Sequence, residues 1–260
     1  SAYLSASLDN SGLGSANVAT VPDTMGCWAS TKQLAPAVAI ISGTGSVAIA
    51  ADRERGVWRR FGGWDFLLGD EGSGYALGRR ALQETLLYFE GRSPAAELAA
   101  AVMGRWGGDD PEGLPDAVHY PAIDKAWIAS FAPLLLDAAA SGDERAGAII
   151  DAEVSVLADA ALAGLRVIDG QAGGGAVPLG LFGGIAKQPY FQARFRHSVS
   201  SQWDGEIEFI IPEHSALVGA AALGMIDRPL ADRTDALNRL DAAVDIAVAK
   251  ADAAAAAGRA

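Results

Sequence analysis

Two glycine-rich segments contain the residues of this chain whose types and spacing are suited to chemistry. The first is the Ser-Gly-Thr-Gly-Ser segment at 42–46, which lies between the apolar runs 37–41 and 47–50. Such runs predict two strands joined by a tight hairpin. Glycines let an anion approach the backbone N–H groups, and hydroxyl groups add donors. The segment predicts either an ordinary glycine hairpin or a phosphate cradle formed by Gly43, Thr44, Gly45 and Ser46.

The second segment runs from 62 to 74 and reads Gly-Gly-Trp-Asp-Phe-Leu-Leu-Gly-Asp-Glu-Gly-Ser-Gly. Apolar residues at helical spacing follow it and predict a helix near 74–90. The density of glycines predicts a rigid loop that another group can approach closely. Asp70 lies near the helix start, where it could be a plain N-cap. An N-cap alone would not require the surrounding glycines and tryptophan.

A third candidate is Asp23, which precedes a predicted short helix. A carboxylate at this position can act as a general base or can cap the helix. The local residues leave both interpretations open.

Composition limits the classes of protein to which the chain can belong. Its 260 residues are half hydrophobic, which is enough for one or two domains with a substantial core. The net charge of −12 argues against nucleic acid as a partner. No apolar run approaches the roughly 20 residues that a bilayer requires, and no leader pattern is present. We therefore predict a cytoplasmic protein without a membrane partner.

The cysteine and histidine content argues against a structural metal site. Cys27 is the single cysteine, so neither an internal disulfide nor a four-cysteine metal site is expected. His119, His197 and His214 show no close ligand spacing. We predict no metal-ligating residues.

The order of predicted elements indicates an α/β fold. After the strand pair and the first helix, 91–120 predicts one short helix and loops. Helices are predicted at about 122–140 and 143–168, then strands at 178–182 and 206–211 around a helix at 186–200. A last core helix covers 216–225, and the alanine-rich tail from 234 is predicted to be helical.

In their order and spacing, these motifs resemble the N-acetylglucosamine kinases and BadF/BcrA-type ATPases of the actin/hexokinase/Hsp70 superfamily. The segment 41–46 is similar to the second phosphate loop of that family. Gly63-Trp64 with 69–74 resembles its sugar-site loop, Phe-Gly-Gly-Ile at 182–185 its adenosine loop, and 214–221 the start of its last helix. The resemblance extends from about residue 20 to residue 226.

The resemblance implies a ribonuclease-H-like, actin-like ATPase fold of two lobes. Residues 1–40 would be a remnant of the N-terminal lobe, 41–226 a complete C-terminal lobe, and 227–260 a tail helix packing on the N-terminal lobe. The sequence has no Asp-Gly-Gly-Gly-Thr segment of the kind that opens the family's first phosphate loop. A shortened N-terminal lobe is therefore expected. The resemblance also allows a homodimer.

Residue roles follow from the same resemblance. Asp23 would be the catalytic base. The sugar would be bound by Asn17, Gly63, Trp64, Asp65, Asp70 and Tyr120. ATP, with Mg²⁺, would be bound by Gly43, Thr44, Gly45, Ser46, Ala129, Gly183 and Gly184. Trp64 would either stack on the sugar or be a half-buried core residue, and Lys125 and Lys187 are expected to be solvated.

The implied activity is transfer of phosphate from ATP to the 6-hydroxyl of N-acetylglucosamine or glucosamine. One alternative is an ATPase that activates a CoA-dependent reductase or dehydratase. Such activators hold an iron–sulfur cluster with two cysteines per chain, which disfavours this alternative here. The other alternative is a sugar- or nucleotide-binding relative without catalysis.

Overall fold

A computed structural model of the protein describes residues 22–119, 124–169, 175–212, 216–224, 235–236 and 238–240. The predicted sugar-binding residues Asn17 and Tyr120 lie outside the described residues. So do residues 1–21 of the predicted N-terminal remnant and most of the predicted tail helix.

A five-stranded mixed sheet forms the centre of the fold. Its strands are β1 (Ala37–Ser42), β2 (Ser46–Asp52), β3 (Val57–Phe61), β4 (Val177–Phe182) and β5 (Ile207–Ile210). They lie in the order β3-β2-β1-β4-β5, with β1 to β3 antiparallel and β4 parallel to both β1 and β5. The predicted α/β class is confirmed, and the predicted hairpin joins β1 to β2.

The two faces of the sheet are both covered, which explains the continuous apolar runs in its strands. In β1, Val38 and Ile40 face the larger hydrophobic cluster, whereas Ala37 and Ala39 face a smaller one. This alternation is the two-residue period of a strand. The polar residue of β1, Ser42, stands at the end of the strand, where its buried hydroxyl is hydrogen-bonded.

Nine helices have defined bounds within residues 22–224, and the described residues 235–236 and 238–240 are helical as well. The nine are α1 (Asp23–Thr31), α2 (Gly74–Phe89), α3 (Ala96–Trp106), α4 (Leu114–His119), α5 (Lys125–Ala129), α6 (Ala132–Ala140), α7 (Glu144–Asp169), α8 (Pro189–Ser200) and α9 (Ala216–Gly224). The long helix α7 packs across β1 to β4 on one face of the sheet, and α1 covers the other face. Helix α9 packs on α1 so closely that a Cβ on Gly219 would lie 1.9 Å from the carbonyl oxygen of Gly26.

Three elements differ from their predictions. Strand β3 was not predicted, because three of its five residues are exposed and its pattern is that of an edge strand. The predicted helix at 122–140 is divided into α5 and α6, with Pro133 in the first turn of α6, where its missing N–H costs nothing. Of the segment 91–120, the described residues 91–119 contain two α-helices, α3 and α4, and a short 3₁₀ turn, rather than one helix.

The predicted division into lobes stays a prediction. The sheet begins at Ala37, just before the boundary expected after residue 40.

Helix α5 is five residues long and is held in place by neighbouring elements. The carboxylate of Asp124 caps it by accepting hydrogen bonds from the N–H groups of Ala126 and Trp127, at 2.9 and 3.1 Å. It also contacts α2 closely, since a Cβ on Gly78 would lie 1.9 Å from the carbonyl oxygen of Ile128. The absence of a side chain at Gly78 therefore determines how near α5 lies to α2.

Replacing Gly78 with alanine is expected to lower the free energy of unfolding by about 1–3 kcal/mol, because the new methyl group forces two backbones apart. Urea denaturation followed by far-ultraviolet circular dichroism measures the change. Gly104→Ala in α3 is the matched control, since a Cβ there meets nothing within 4 Å. The control should be neutral or stabilised by up to about 1 kcal/mol. Equal stability of the two variants would contradict the proposed contact.

The thiol of Cys27 lies inside the smaller cluster, where the residue is 5% exposed. Burial raises its pKa to about 12, and the nearby negative charge of Asp23 adds to the effect. We expect Cys27 of the native protein to react with a thiol reagent such as DTNB near pH 8 only as fast as the structure around it unfolds locally. The unfolded protein should react at once. Rapid labelling of the native protein would show that the thiol is accessible.

The same pKa shift makes stability depend on pH. The folded pKa lies above the ordinary value of 9.0, so the unfolded chain releases the thiol proton first as pH rises. This contribution to stability is complete below about pH 9 and declines as pH rises towards the folded pKa. Replacing Cys27 with alanine should remove that decline, so the stability of the unmodified protein should fall relative to that of the variant as pH rises above about 9.

Candidate functional site

A cleft of about 720 Å³ contains most of the residues predicted to do chemistry. It is bounded by the start of α1, the loop between β1 and β2, strand β3 and the loop 62–74. Predicted residues that line it are Asp23, Gly43, Thr44, Gly45, Ser46, Gly63, Asp65 and Asp70. A second cleft of about 750 Å³ at the C-terminal end of α1 is lined by none of the predicted residues. We therefore take the first as the candidate site.

The loop between β1 and β2 has its carbonyl groups bound by protein. Gly74 donates its N–H to the carbonyl oxygen of Gly43 at 2.7 Å, and Tyr75 donates to that of Thr44 at 3.1 Å. The N–H groups of Thr44 and Gly45 have no partner among the described residues. Two free N–H groups and the hydroxyl of exposed Thr44 fit an anion. The predicted phosphate cradle thus has the necessary donors.

Ser46 joins this loop to the next one. Its hydroxyl donates to the carbonyl oxygen of Glu71 at 2.6 Å, and its N–H donates to Oδ1 of Asp70 at 3.3 Å. Ser42 makes a similar connection, since its hydroxyl donates to the carbonyl oxygen of Gly72 at 2.6 Å. The two glycine-rich segments therefore form one bonded unit.

The predicted adenosine loop packs directly on the phosphate loop. Gly183 has a φ of +94°, and a Cβ on it would lie 2.2 Å from the carbonyl oxygen of Ser42. The same oxygen accepts hydrogen bonds from the N–H groups of Ile185 and Ala186. Only glycine fits at position 183 without moving the phosphate loop.

The predicted adenosine contacts Ala129, Gly183 and Gly184 are not among the residues that line the cleft. A Cβ on Gly74 would lie 3.4 Å from that of Ala129, which places Ala129 beside the start of α2. A Cβ on Gly184 would meet nothing within 4 Å. Open space beside Gly184 is compatible with its predicted contact with adenosine, which stays a prediction.

Asp70 is a buried acceptor and not a helix cap. The cap of α2 is Ser73, whose hydroxyl accepts the N–H of Ala76 at 3.1 Å. The side chain of Asp70 is 5% exposed, and its backbone has a φ of +64°, which is uncommon for a residue with a Cβ. The interpretation of Asp70 as a plain N-cap is therefore wrong.

Lys125 connects Asp70 to Asp65. Its ammonium nitrogen Nζ lies 2.6 Å from Oδ2 of Asp70 and 2.9 Å from Oδ1 of Asp65. The hydrogen bond from Lys125 lowers the pKa of Asp65. Partial burial lowers the pKa of Lys125, but its hydrogen bonds to Asp70 and Asp65 outweigh that effect and raise it. Lys125 thus stays cationic and Asp65 anionic at neutral pH.

The expectation that Lys125 is solvated is wrong. Its side chain is 29% exposed and lines the cleft. Nothing in the local sequence indicates this position, because the two carboxylates are 55 and 60 residues away along the chain. Lys187, by contrast, is exposed as expected.

Trp64 is not a half-buried core residue, since it is 61% exposed. The guanidinium carbon of Arg60 lies 4.3 Å from the centre of its ring, which is a cation–π contact. Gly63 lines the cleft with a φ of +66°, and a Cβ there would lie 2.9 Å from Val47. Stacking of Trp64 on a sugar stays a prediction.

Asp23 begins α1 at the edge of the cleft and is exposed. Pro22 occupies the N-cap position, so the interpretation of Asp23 as the N-cap is wrong. Its Oδ1 accepts the N–H of Thr24 at 2.8 Å. Its Oδ2 has no hydrogen-bond partner among the described residues, and one carboxylate oxygen therefore remains available to a ligand.

Within the described part of the chain, no three His, Cys, Asp or Glu residues lie together as a metal site would require. No helix there is both long and apolar enough to cross a membrane.

Comparison with known proteins finds sugar kinases among those to which this chain is similar. The N-acetylmuramic acid/N-acetylglucosamine kinase of Clostridium acetobutylicum is 32% identical over 106 residues, which are 41% of this chain and 34% of that protein. The N-acetyl-D-glucosamine kinase of Dictyostelium discoideum is 33% identical over 124 residues, 47% of this chain and 38% of that protein. Each match thus spans little more than a third of the curated relative.

A solved structure of a candidate N-acetylglucosamine kinase from Chromobacterium violaceum superposes with a TM-score of 0.60 and 27% identity. The superposition covers 82% of this chain and 70% of that chain. It confirms the actin-like ATPase fold. The model of the BadF/BadG/BcrA/BcrD ATPase family matches residues 11–224, which is most of the sequence. The chain therefore belongs to the BadF/BadG/BcrA/BcrD ATPase family.

Proposed function

We propose that the protein is a sugar kinase that transfers the γ-phosphoryl group of ATP to the 6-hydroxyl of an amino sugar, N-acetylglucosamine or glucosamine. Phosphoryl transfer needs a phosphate cradle, a carboxylate for the attacking hydroxyl and a means of orienting the sugar. The observation that carries the proposal is that Asp23, the phosphate loop and Asp70 all line one cleft. The names of the two curated relatives support the choice of sugar.

On the nucleotide side, the free N–H groups of Thr44 and Gly45 are the proposed donors to the phosphates of ATP. Thr44 adds a hydroxyl, and Gly43 lets the phosphates come near the backbone. Gly183, Gly184 and Ala129 are proposed to face adenosine. Mg²⁺ is proposed to accompany ATP and to offset negative charge on its phosphates.

On the sugar side, Asp70 and Asp65 are the proposed acceptors for hydroxyl groups. An ionised carboxylate offers about four lone-pair positions, so Asp70 can accept further hydrogen bonds beside those from Ser46 and Lys125. Gly63 and Trp64 are proposed to border the sugar. Asn17 and Tyr120 remain proposed sugar contacts that lie outside the described residues.

The exposed carboxylate of Asp23 is the proposed general base. It would accept the proton of the 6-hydroxyl while the oxygen bonds to the γ-phosphorus. We further propose that the protein acts in the cytoplasm on small molecules and forms a homodimer.

Activation of a CoA-dependent reductase is the weaker proposal, because an iron–sulfur cluster needs accessible thiolates. Cys27 is buried among apolar residues and its pKa is raised to about 12, so it cannot serve as a ligand without unfolding of α1.

The test is ADP release by the purified protein with magnesium–ATP and N-acetylglucosamine, glucosamine or no sugar. Sugar-dependent ADP release, with phosphorus NMR placing phosphate at the 6-position, is the expected result. Binding of both ligands without ADP release would support the non-catalytic alternative. ADP release at a rate that no hexosamine increases would overturn the choice of substrate.

Asp23→Asn is expected to lower kcat by about 10²–10⁴-fold, because the amide cannot accept the hydroxyl proton. Calorimetry should show sugar affinity within a few-fold of the unmodified protein. Asp159→Asn, at an exposed position on α7, is the matched control and should leave kcat unchanged. An active Asp23→Asn protein would exclude Asp23 as the base.

Asp70→Asn is expected to weaken sugar binding by about 10–100-fold, since charged hydrogen bonds to the hydroxyls are lost. Titration calorimetry with N-acetylglucosamine measures this loss. The affinity for ADP, measured in parallel, reports whether the phosphate loop is intact. Unchanged sugar affinity would place the sugar elsewhere.

A further inference from the structure

The ammonium group of Lys125 lies where the phosphate loop meets the sugar-site loop. A Cβ built on Gly45 would lie 3.1 Å from Nζ of Lys125 and 2.9 Å from Oδ2 of Asp70. Gly45 belongs to the phosphate loop, whereas Asp70 belongs to the loop proposed to hold the sugar. Lys125 is therefore next to both halves of the proposed reaction.

The cleft has two cationic side chains among its described lining residues, Lys125 and Arg60. The guanidinium of Arg60 lies over the exposed ring of Trp64, whereas Nζ of Lys125 lies beside Gly45 of the phosphate loop. Segment 42–46 itself contains no cation. Lys125 is thus the cation nearest to the place proposed for the transferred group.

An ammonium group has three N–H donors, and Lys125 uses two of them on Asp65 and Asp70. The third has no hydrogen-bond acceptor among the described residues, and the nearest further contact of Nζ is the ring of Phe66, whose centre lies 5.8 Å away. Because Gly45 has no side chain, nothing from that residue covers the ammonium group. A phosphoryl oxygen beside Gly45 could accept the third hydrogen bond without displacing either carboxylate.

We propose that Lys125 is a catalytic residue that donates this third hydrogen bond to a non-bridging oxygen of the γ-phosphoryl group during its transfer. The inference rests on the proposed function. The sugar oxygen bonds to the γ-phosphorus as its proton passes to Asp23, and the bond to the bridging oxygen breaks with its electron pair leaving on ADP. Lys125 keeps its proton throughout and stabilises negative charge on the phosphoryl oxygens.

The competing role is that Lys125 only positions Asp70 and Asp65. The two roles differ in what happens without sugar. A group that contacts the γ-phosphoryl group favours AMPPNP over ADP, whereas a group that only orients the sugar carboxylates does not affect that preference. The sugar-free ratio of the two dissociation constants is therefore the discriminating measurement.

The experiment compares Lys125→Met, Lys125→Arg and Lys32→Met with the unmodified protein by titration calorimetry with magnesium–ADP and magnesium–AMPPNP. Lys32 pairs with Glu208 on the surface away from the cleft and provides the same charge change. Circular dichroism confirms that each variant is folded.

In Lys125→Met, the ratio of the dissociation constants for ADP and AMPPNP is expected to fall by about 10–100-fold, which corresponds to the loss of one charged hydrogen bond. Lys125→Arg, which keeps the charge, should retain part of the preference, and Lys32→Met all of it. Sugar-independent ATP hydrolysis should fall in proportion in Lys125→Met.

An unchanged preference in Lys125→Met, with only the KM for sugar raised, would overturn the inference and leave a positioning role. The inference would also be overturned if the unmodified protein bound AMPPNP no more tightly than ADP. If the preference depends on Lys125 but no amino sugar is phosphorylated, the contact with the phosphoryl group stands and the proposed sugar substrate fails.

Discussion

Two backbone hydrogen bonds, from the first turn of α2 to the phosphate loop, hold the helical layer to the sheet at the candidate site. They join Gly74 to Gly43 and Tyr75 to Thr44. A Cβ on Gly74 would lie 3.0 Å from the carbonyl oxygen of Gly43, so this approach favours glycine. Because α2 begins against the loop, the segment immediately before it, with Asp70, must also lie there. The site is thus a consequence of where one helix starts.

Features encoded within a short stretch of sequence could be predicted. The hairpin of β1 and β2, the start of α2 and the glycine loops each depend on neighbouring residues, and the structure has all of them. The order of strands and helices likewise indicated an α/β fold. The clustering of Asp23, Thr44 and Asp70 in one cleft followed from the family resemblance rather than from any local pattern.

Features that depend on distant residues could not be predicted. The pairing of Lys125 with Asp65 and Asp70 requires α5 to be set against α2, which the close contact at Gly78 allows. Asp70 resembled a helix cap because it lies near the start of α2 in the sequence, whereas Ser73 makes the actual cap. Trp64 could not be placed because its exposure depends on an edge strand that the sequence pattern did not indicate.

The contact between Gly26 and Gly219 determines how the candidate base can move. Helices α1 and α9 touch through their backbones there, so no side chain can yield between them, and the pair forms one stiff unit. Beneath α1, the sheet presents the small alanine side chains of β1 and β2 together with the larger Ile49 and Phe182. Asp23 begins α1, so any displacement of this residue relative to the phosphate loop would carry α9 with it.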